Sequence, residues 1–428
     1  MKIGFILTWK TGLALVAAGV LMALVVGWSG LVSISASSGH YSPVSWFLHW
    51  TMRNAVATQA LSVEVPEGLD LADPTLVRRA AGHFATECAF CHGAPGIAQS
   101  PTTAAMMPPP PRLEGQVGRW SDPELFWIVQ HGIKYSGMPA WVSQERPDEA
   151  WAMAAFLRAL PSLSPADYAD MALGGTGTTL LPPTGVSTAL SAVGDIALQD
   201  CARCHGRDGR GVVTPGGARI GAIPIIAGQP EGYLLETLRA YAAGTRQSGY
   251  MQGPARRYED AVLKDLARHY ASEPARNPAI APTPPSGPAA AIDTAVTAAA
   301  GSDLTRSRMA LARVVPDTAA YGAPYDQAGL VDLGRRLATQ GLPDRKLPAC
   351  DSCHGTAPSQ TASAERALYP FLAGQPDWYL ATHLKLWRDG KRGGTSRSHV
   401  MDKIAIHLTD EQIAAVSAWY ATQPAGRQ

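Results

Sequence analysis

The chain has 428 residues, with 36 basic and 35 acidic side chains and a formal net charge of +1. That length exceeds what one small core needs and predicts two to four domains, while the near-zero charge gives no electrostatic footprint for nucleic acid. Aromatic residues are modest in number, whereas 42 Gly and 34 Pro suit several small domains joined by long connections.

The first feature in chain order is an uncharged apolar run from Thr11 to Ser33, preceded by Lys2 and Lys10. Its 23 residues predict a helix of about 34 Å, enough to cross a bilayer once. The next basic residue is Arg53, so the charge asymmetry puts the N-terminus in the cytoplasm and everything after the run outside. The expected location is the bacterial inner (plasma) membrane, with the remaining domains in the periplasm. The competing reading is a cleaved leader with its cut near Ser33, Ser35 or Ala36; the run is longer than a leader's apolar core, which favours retention. Trp46-Phe47-Leu48-His49-Trp50-Thr51-Met52 follows, either as an interfacial aromatic belt or as a short helix packed on the next domain.

Six cysteines then fall as three pairs, each followed at once by histidine: Cys88/Cys91-His92, Cys201/Cys204-His205 and Cys350/Cys353-His354. C-x-x-C-H is the attachment signature of c-type haem. Two thiols must reach two vinyl groups on one porphyrin edge, and the next residue must turn an imidazole onto the iron; a helical turn satisfies both demands. A redox dithiol or half a zinc site is the duller reading, and three copies that use every cysteine leave none to complete a tetrahedral zinc. The expected cofactors are three covalently bound haem c groups.

Between the motifs the chain divides itself. Ala166 to Val193, with Gly174-Gly175-Thr176-Gly177 and Pro182-Pro183, reads as a linker, as does the Pro- and Ala-rich stretch from Glu273. The predicted organisation is a membrane anchor over 1–40, a connecting segment over 41–72, domains over 73–165, 194–273 and 326–425, and linkers over 166–193 and 274–325. Pro147-Asp148-Glu149 opens a helix carrying Trp151 and Phe156 at the end of the first domain. The second and third domains are internal repeats: Pro224-Ile225-Ile226-Ala227-Gly228-Gln229-Pro230 matches Pro370-Phe371-Leu372-Ala373-Gly374-Gln375-Pro376. Each block leads into an amphipathic helix and a Gly/Arg turn, Gly244-Thr245-Arg246 or Gly390-Lys391-Arg392. Thr409-Asp410-Glu411-Gln412 is a capping box opening the last helix. No strand alternation is apparent, so the expected fold class is all-α.

These motifs carry a family resemblance. The exported part resembles class I cytochromes c, and its second and third domains are similar to the tandem dihaem cytochromes of the c-four group, on the AGQP blocks and the spaced methionines. The first domain, with Phe126-Trp127-Ile128-Val129-Gln130-His131-Gly132-Ile133 and Gly137-Met138-Pro139-Ala140-Trp141, resembles a separate single-haem class I domain. The three-haem arrangement is also similar to cytochrome subunits of membrane-bound alcohol and aldehyde dehydrogenase complexes. The expected architecture is one transmembrane helix, read from the apolar run, followed by three domains that the resemblance implies to be class I cytochrome c domains.

A haem iron held by His92, His205 or His354 keeps one axial position. A protein side chain there makes an electron carrier, and an open position permits ligand or peroxide chemistry. Met138 and Met251 each stand 46 residues after their motif histidine, and Met401 stands 47 after its own. These three methionines are the expected sixth ligands; the alternative for any one of them is a core filler. Met106 and Met107 lie too early, His131 is better read as a helix residue, His83 as structural, and His269, His383, His399 and His407 have no motif support. Arg112 or Arg119, Arg246 and Arg392 are candidates to meet haem propionates, with exposed turn residues as the alternative.

Charge is uneven, with 13 acidic and 7 basic residues from Glu64 to Asp170 against five basic and one acidic from Lys385 to Arg397, a difference able to steer partners. The leading functional reading is an electron-transfer subunit without a substrate site of its own. Its expected partners are the membrane and other subunits of a dehydrogenase or terminal oxidase complex, with a quinone or soluble cytochrome as further carriers. The alternative is a haem enzyme with an open iron, such as a peroxidase or a sulfur-compound dehydrogenase. Three matched methionines argue against it, and no dinucleotide fingerprint appears in a convincing context.

Overall fold

The computed structural model describes residues 8–35, 37–174, 192–211, 221–274, 327–355 and 366–425. Among the described residues the chain is helical, with two isolated bridges, Ala94 to Ile97 and Leu342 to Leu347, and no strand. The all-α expectation therefore holds. Most of both expected linkers, and Ala36 at the expected leader cut, lie outside the described residues.

Helix α1, Trp9–Ser29, is capped by Thr8 and stops at Gly30, whose φ of 67° takes the left-handed cap. It is 21 residues long and ends four short of the apolar run, because a Gly in that conformation closes a helix whatever the hydropathy beyond it. None of its residues is buried by the rest of the chain. Helix α2, Ser42–Ala60, combines the two readings of the aromatic cluster. Its C-terminal part buries Val56 and Ala60, while Trp46, Phe47, Leu48 and Trp50 stay exposed, with the Trp46 and Trp50 rings stacked at 6.1 Å.

The remaining helices gather into three bundles. The first contains α3 (Pro74–His83), α4 (Asp122–His131), α5 (Pro147–Ala159) and α6 (Pro165–Ala172). The second contains α7 (Ala192–His205), α8 (Glu231–Ala243), α9 (Gly249–Arg256) and α10 (Asp260–Ser272). The third contains α11 (Gln327–Thr339), α12 (Asp377–Arg388), α13 (Ser398–Ala405) and α14 (Asp410–Thr422). In each, the helix before or bearing the cysteine motif packs on a later long helix: α3 on α5, α7 on α10, α11 on α14. Gly334 permits the last crossing, since a Cβ there would run into the Ala415 carbonyl. Helix α2 packs on α4, which ties the connecting segment to the first bundle.

Local signals explain the helix starts. Asp73 accepts from the Thr75 amide ahead of Pro74, Ser121 and Glu124 form a capping box on α4, and Thr409 and Gln412 form the expected one on α14. A further capping box, Ser164 with Asp167, corrects the first linker boundary. It opens α6 inside the stretch read as linker, and α6 buries Tyr168 and Ala172 against the first core, with Arg78 paired to Asp170 at 3.2 Å. The core of this bundle is rich in close aromatic pairs, Phe84 with Phe156 at 4.9 Å and Phe126 with Trp151 at 4.4 Å. The second and third bundles have smaller apolar clusters.

Candidate haem sites

Each cysteine motif sits on helical backbone that ends at its histidine. Cys88 closes a π-turn, Phe84–Cys88, that runs into Ala89–His92; Cys201 and Cys204 lie in the last turn and a half of α7; Cys353 lies in the short helix Asp351–His354. The three histidines share one geometry. His92 Nδ1 donates to the Pro111 carbonyl at 2.8 Å, His205 Nδ1 to Pro224 at 3.3 Å, and His354 Nδ1 to Pro370 at 2.8 Å. A carbonyl only accepts, so each Nδ1 carries the proton and each Nε2 keeps its lone pair for a metal. Burial pushes His205 down to about 4 and lowers His92 and His354, which keeps the imidazoles neutral, as a metal ligand must be.

The thiols are tuned the opposite way from a reactive dithiol. Burial raises Cys88, Cys201 and Cys350 to about 12 and Cys204 to about 11. A redox-active pair needs a lowered pKa, so these surroundings suit thioethers in an apolar pocket. Among the described residues no cluster of His, Cys, Asp and Glu is placed to hold a bare metal ion.

One continuous cavity spans the second and third bundles. It is lined by Cys201, Cys204, His205 and Met251 on one side and by Cys350, Cys353, His354 and Met401 on the other. Arg246, buried, and Arg392, half-buried, both face it. Arg246 donates to Thr237 Oγ1 at 2.8 Å and lies 4.8 Å from the Tyr241 ring, with its Nε unpartnered; Arg392 contacts His383 Nδ1. Among the described residues neither arginine pairs with a carboxylate. A buried and a half-buried cation facing a shared cavity, the former with an orphaned N–H, call for anionic groups inside it. The residues therefore fit haem: paired thiols, a free Nε2, a thioether opposite and cations for propionates.

The expected ligand methionines occupy two settings. Met251 is the third residue of α9 and Met401 the fourth of α13, both half-buried. Helix α9 starts at Gly249 behind its Ser248 cap, three residues before Gln252, and Pro254 is carried inside it; the repeat partners thus agree better in structure than in sequence. Met138 lies on non-helical backbone, its N–H donating to Ser136 Oγ at 3.2 Å and its carbonyl accepting from Ile133 at 3.2 Å. The Met106 methyl packs against Gly137 in the same place.

Other candidates fall away. His131 ends α4, exposed against Trp127, and Arg119 is exposed; Arg112 is engaged by Glu114 at 2.7 Å and by the Ala94 and Ile97 carbonyls. His269 bonds the Arg207 carbonyl at 2.8 Å, His399 the Ser396 carbonyl at 3.1 Å, and His383 is buried beside Arg392. His83 is half-buried, its Nδ1 buried and unpartnered, against the rings of Trp141 and Tyr250. Part of the basic segment from Lys385 is engaged within the chain: Arg388 pairs with Asp410 at 2.9 Å, Lys391 with Glu145 at 3.3 Å, and Arg392 lines the cavity, half-buried.

Sequence reading missed the residues that join the bundles. Gln229 donates to the Phe371 carbonyl and accepts from the Phe371 amide, both at 2.9 Å; Gln375 does the same to Ile225 at 2.6 and 3.0 Å. Each AGQP glutamine therefore reaches into the other repeat, and the pair relates them by a near two-fold. A polar Gln repeated inside an apolar block was the available signal. The first bundle closes on both others: Arg79 lies 3.4 Å from the Trp378 ring centroid, Glu87 pairs with Arg257 at 3.3 Å, and Gly82 leaves room for Cys204 Sγ where a Cβ would collide.

Residues 75–157 match the family model described as Cytochrome C oxidase, cbb3-type, subunit III. The chain is 31% identical over 225 residues to a thiosulfate dehydrogenase electron acceptor of Thiomonas intermedia, covering 52% of this chain and 78% of that protein. It is 25% identical over 246 residues to cytochrome c4 of Pseudomonas aeruginosa, covering 56% and 94%. A solved structure of reduced cytochrome c4 from Pseudomonas stutzeri aligns at 24% identity with a TM-score of 0.36, over 54% of this chain and 97% of the other. The first of these relatives is named as an electron acceptor and the others as cytochromes. The chain belongs to the class I c-type cytochromes, with a pair of the cytochrome c4 kind, and is an electron-transfer protein that carries covalent haem c.

Proposed function

We propose that this chain is a membrane-anchored three-haem relay that takes electrons from a dehydrogenase and passes them to a quinone, a soluble cytochrome or a terminal oxidase. In this reading Cys88 and Cys91, Cys201 and Cys204, and Cys350 and Cys353 each hold one haem. His92 with Met138, His205 with Met251, and His354 with Met401 are the axial pairs, and each bundle is one haem domain within the boundaries 73–165, 194–273 and 326–425, with α6 extending the first. The observation that carries this reading is the threefold recurrence of a neutral histidine whose Nδ1 is held by a proline carbonyl beside buried paired thiols. Haem supplies the reversible one-electron chemistry when bound; the chain orients the imidazoles, covers the porphyrin edges and neutralises propionates with Arg246 and Arg392.

The donor is a dehydrogenase of thiosulfate or a related sulfur compound. That choice is supported by two relatives named as thiosulfate dehydrogenase electron acceptors, 31% and 28% identical to this chain. Mixing the oxidised protein with purified thiosulfate dehydrogenase and thiosulfate is expected to reduce all three haems, and no reduction without the enzyme. Reduction by thiosulfate alone would move the chain to the enzyme class.

The anchor reading rests on α1, apolar, uncharged after Lys10 and unburied, and on the exposed rings of Trp46, Phe47 and Trp50 that follow it, a residue type suited to a membrane interface. The full chain is expected to stay with membranes through a high-salt wash, and protease added outside spheroplasts to digest all three haem domains. A mature protein beginning near residue 36 that washes off would refute it.

A further inference from the structure

Among the described residues the most heavily bonded buried carboxylate belongs to none of the three haem motifs. Glu149, in the first turn of α5, is 1% exposed. Its Oε1 accepts from Ser248 Oγ at 2.6 Å and pairs with Arg146 at 2.9 Å. Its Oε2 accepts from the Gly249 amide at 2.5 Å and from Trp141 Nε1 at 3.1 Å. Its backbone carbonyl accepts from Tyr250 Oη at 2.9 Å. Arg146, also buried, reaches the Gln247 carbonyl at 3.3 Å and is neutralised by Asp148 at 2.7 Å. One residue of the first bundle thus holds residues 248 and 249 of the second through its carboxylate and residue 250 through its carbonyl.

Those residues immediately precede Met251. Ser248 caps α9 by accepting from the Met251 amide at 3.3 Å while donating to Glu149, so a two-bond chain links the carboxylate to the backbone of the proposed ligand. A carboxylate at the start of a helix also faces its unsatisfied amides, the favourable end for negative charge. On the other side Trp141 follows Met138 by three residues. Its indole packs so closely on Gly249 that a Cβ there would collide with it, and it meets the Tyr250 ring edge-on at 5.7 Å. His83 completes the cluster, 4.9 Å from Trp141 and 5.2 Å from Tyr250.

We propose that Glu149 is a positioning residue that ties the sixth-ligand segments of the first and second haems together and holds Met251 on its iron from across the domain boundary. The proposal rests on the axial-ligand reading given above. Outer partners of metal ligands typically govern affinity by 10- to 100-fold. A plain interface ion pair would stabilise docking without touching ligation; the Ser248 link makes a different demand. Removing the carboxylate should loosen Met251 selectively, leaving Met401 as it was.

The test uses the full holoprotein and four variants. Glu149→Gln keeps the shape but replaces an accepting oxygen with an amide donor facing donors. Ser248→Ala removes the hydroxyl that joins Glu149 to the Met251 amide and leaves Glu149 its bonds to Arg146, Gly249 and Trp141. Asp148→Asn is the control, since it contacts Arg146 and neither ligand segment. In both test variants one haem is expected to lose part of its oxidised-state sulfur-to-iron absorption, shift its midpoint potential and bind carbon monoxide roughly 10-fold or more tightly than in the wild type, with haem content kept at the wild-type value. Asp148→Asn should match the wild type. Wild-type spectra, potentials and carbon monoxide binding in Ser248→Ala would overturn the proposal, whether or not Glu149→Gln folds. Met251→Ala separates the two readings: if it fails to open an iron, the ligand assignment has fallen; if it opens one while the Ser248 variant stays silent, only the positioning role has.

Discussion

Replacing Met251 or Met401 by Ala should open one iron and leave its haem in place. The thioether bonds from the cysteines do not depend on the axial methionine, so the haem count is expected to stay at the wild-type value in each single variant. What changes is the sixth position. Thioether sulfur is a weak, polarizable donor that favours reduced iron and sets a relatively high potential. Each variant is therefore expected to lose the sulfur-to-iron absorption of one haem, lower one redox step and bind one equivalent of carbon monoxide when reduced. Met138→Ala should do the same for the first haem, whose ligand lies on non-helical backbone with the Met106 methyl packed against the adjacent Gly137. His131→Ala should change none of these readings, because that side chain is exposed at the end of α4. Optical titration and carbon monoxide difference spectra of each variant check the set.

Loss of a haem is expected to cost far more than loss of a ligand. The double variant Cys201→Ser with Cys204→Ser should fall from three haems to two by pyridine haemochrome assay. The second bundle's apolar cluster is small, built around Leu198, Leu234, Leu266 and Tyr270, and domains of this size rarely gain more than about 3–5 kcal/mol from a single core. Without its cofactor that bundle is expected to unfold. The damage should spread, since Gln229 and Gln375 join it to the third bundle and Glu149 holds its α9 from the first. Limited proteolysis is expected to show new cuts within 194–273 first. An intact second bundle with only two haems would mean that the cofactor is not its staple.

Much of this molecule is legible in its sequence because haem attachment is written in contiguous residues. C-x-x-C-H fixes thiols and imidazole within five positions, and the repeated blocks around Gln229 and Gln375 declare two related domains. Capping boxes mark helix starts just as locally. Ser164 with Asp167 was as readable as Thr409 with Gln412, but the glycines and prolines that follow it drew the whole stretch into a linker. The end of α1 was misplaced for a related reason: hydropathy continues past Gly30, while the backbone does not.

What the sequence conceals is contact between residues far apart in the chain. Nothing near Glu149 announces that its carboxylate bonds Ser248 and Gly249, about a hundred positions on. The basic segment from Lys385 to Arg397 reads in sequence as charge able to steer partners, and yet Arg388 and Lys391 find carboxylates within the chain while Arg392 lines the cavity. Gly82 and Gly249 are unremarkable in sequence and matter only because Cys204 and Trp141 press on them.

The central claim is that this cytochrome is a relay whose irons are all six-coordinate. Carbon monoxide titration of the fully reduced wild-type holoprotein, with haem counted on the same sample, tests it most directly. The expected result is three haems per chain and no carbon monoxide bound at stoichiometric concentration. Binding of one equivalent to the wild type would show an open iron and contradict the account.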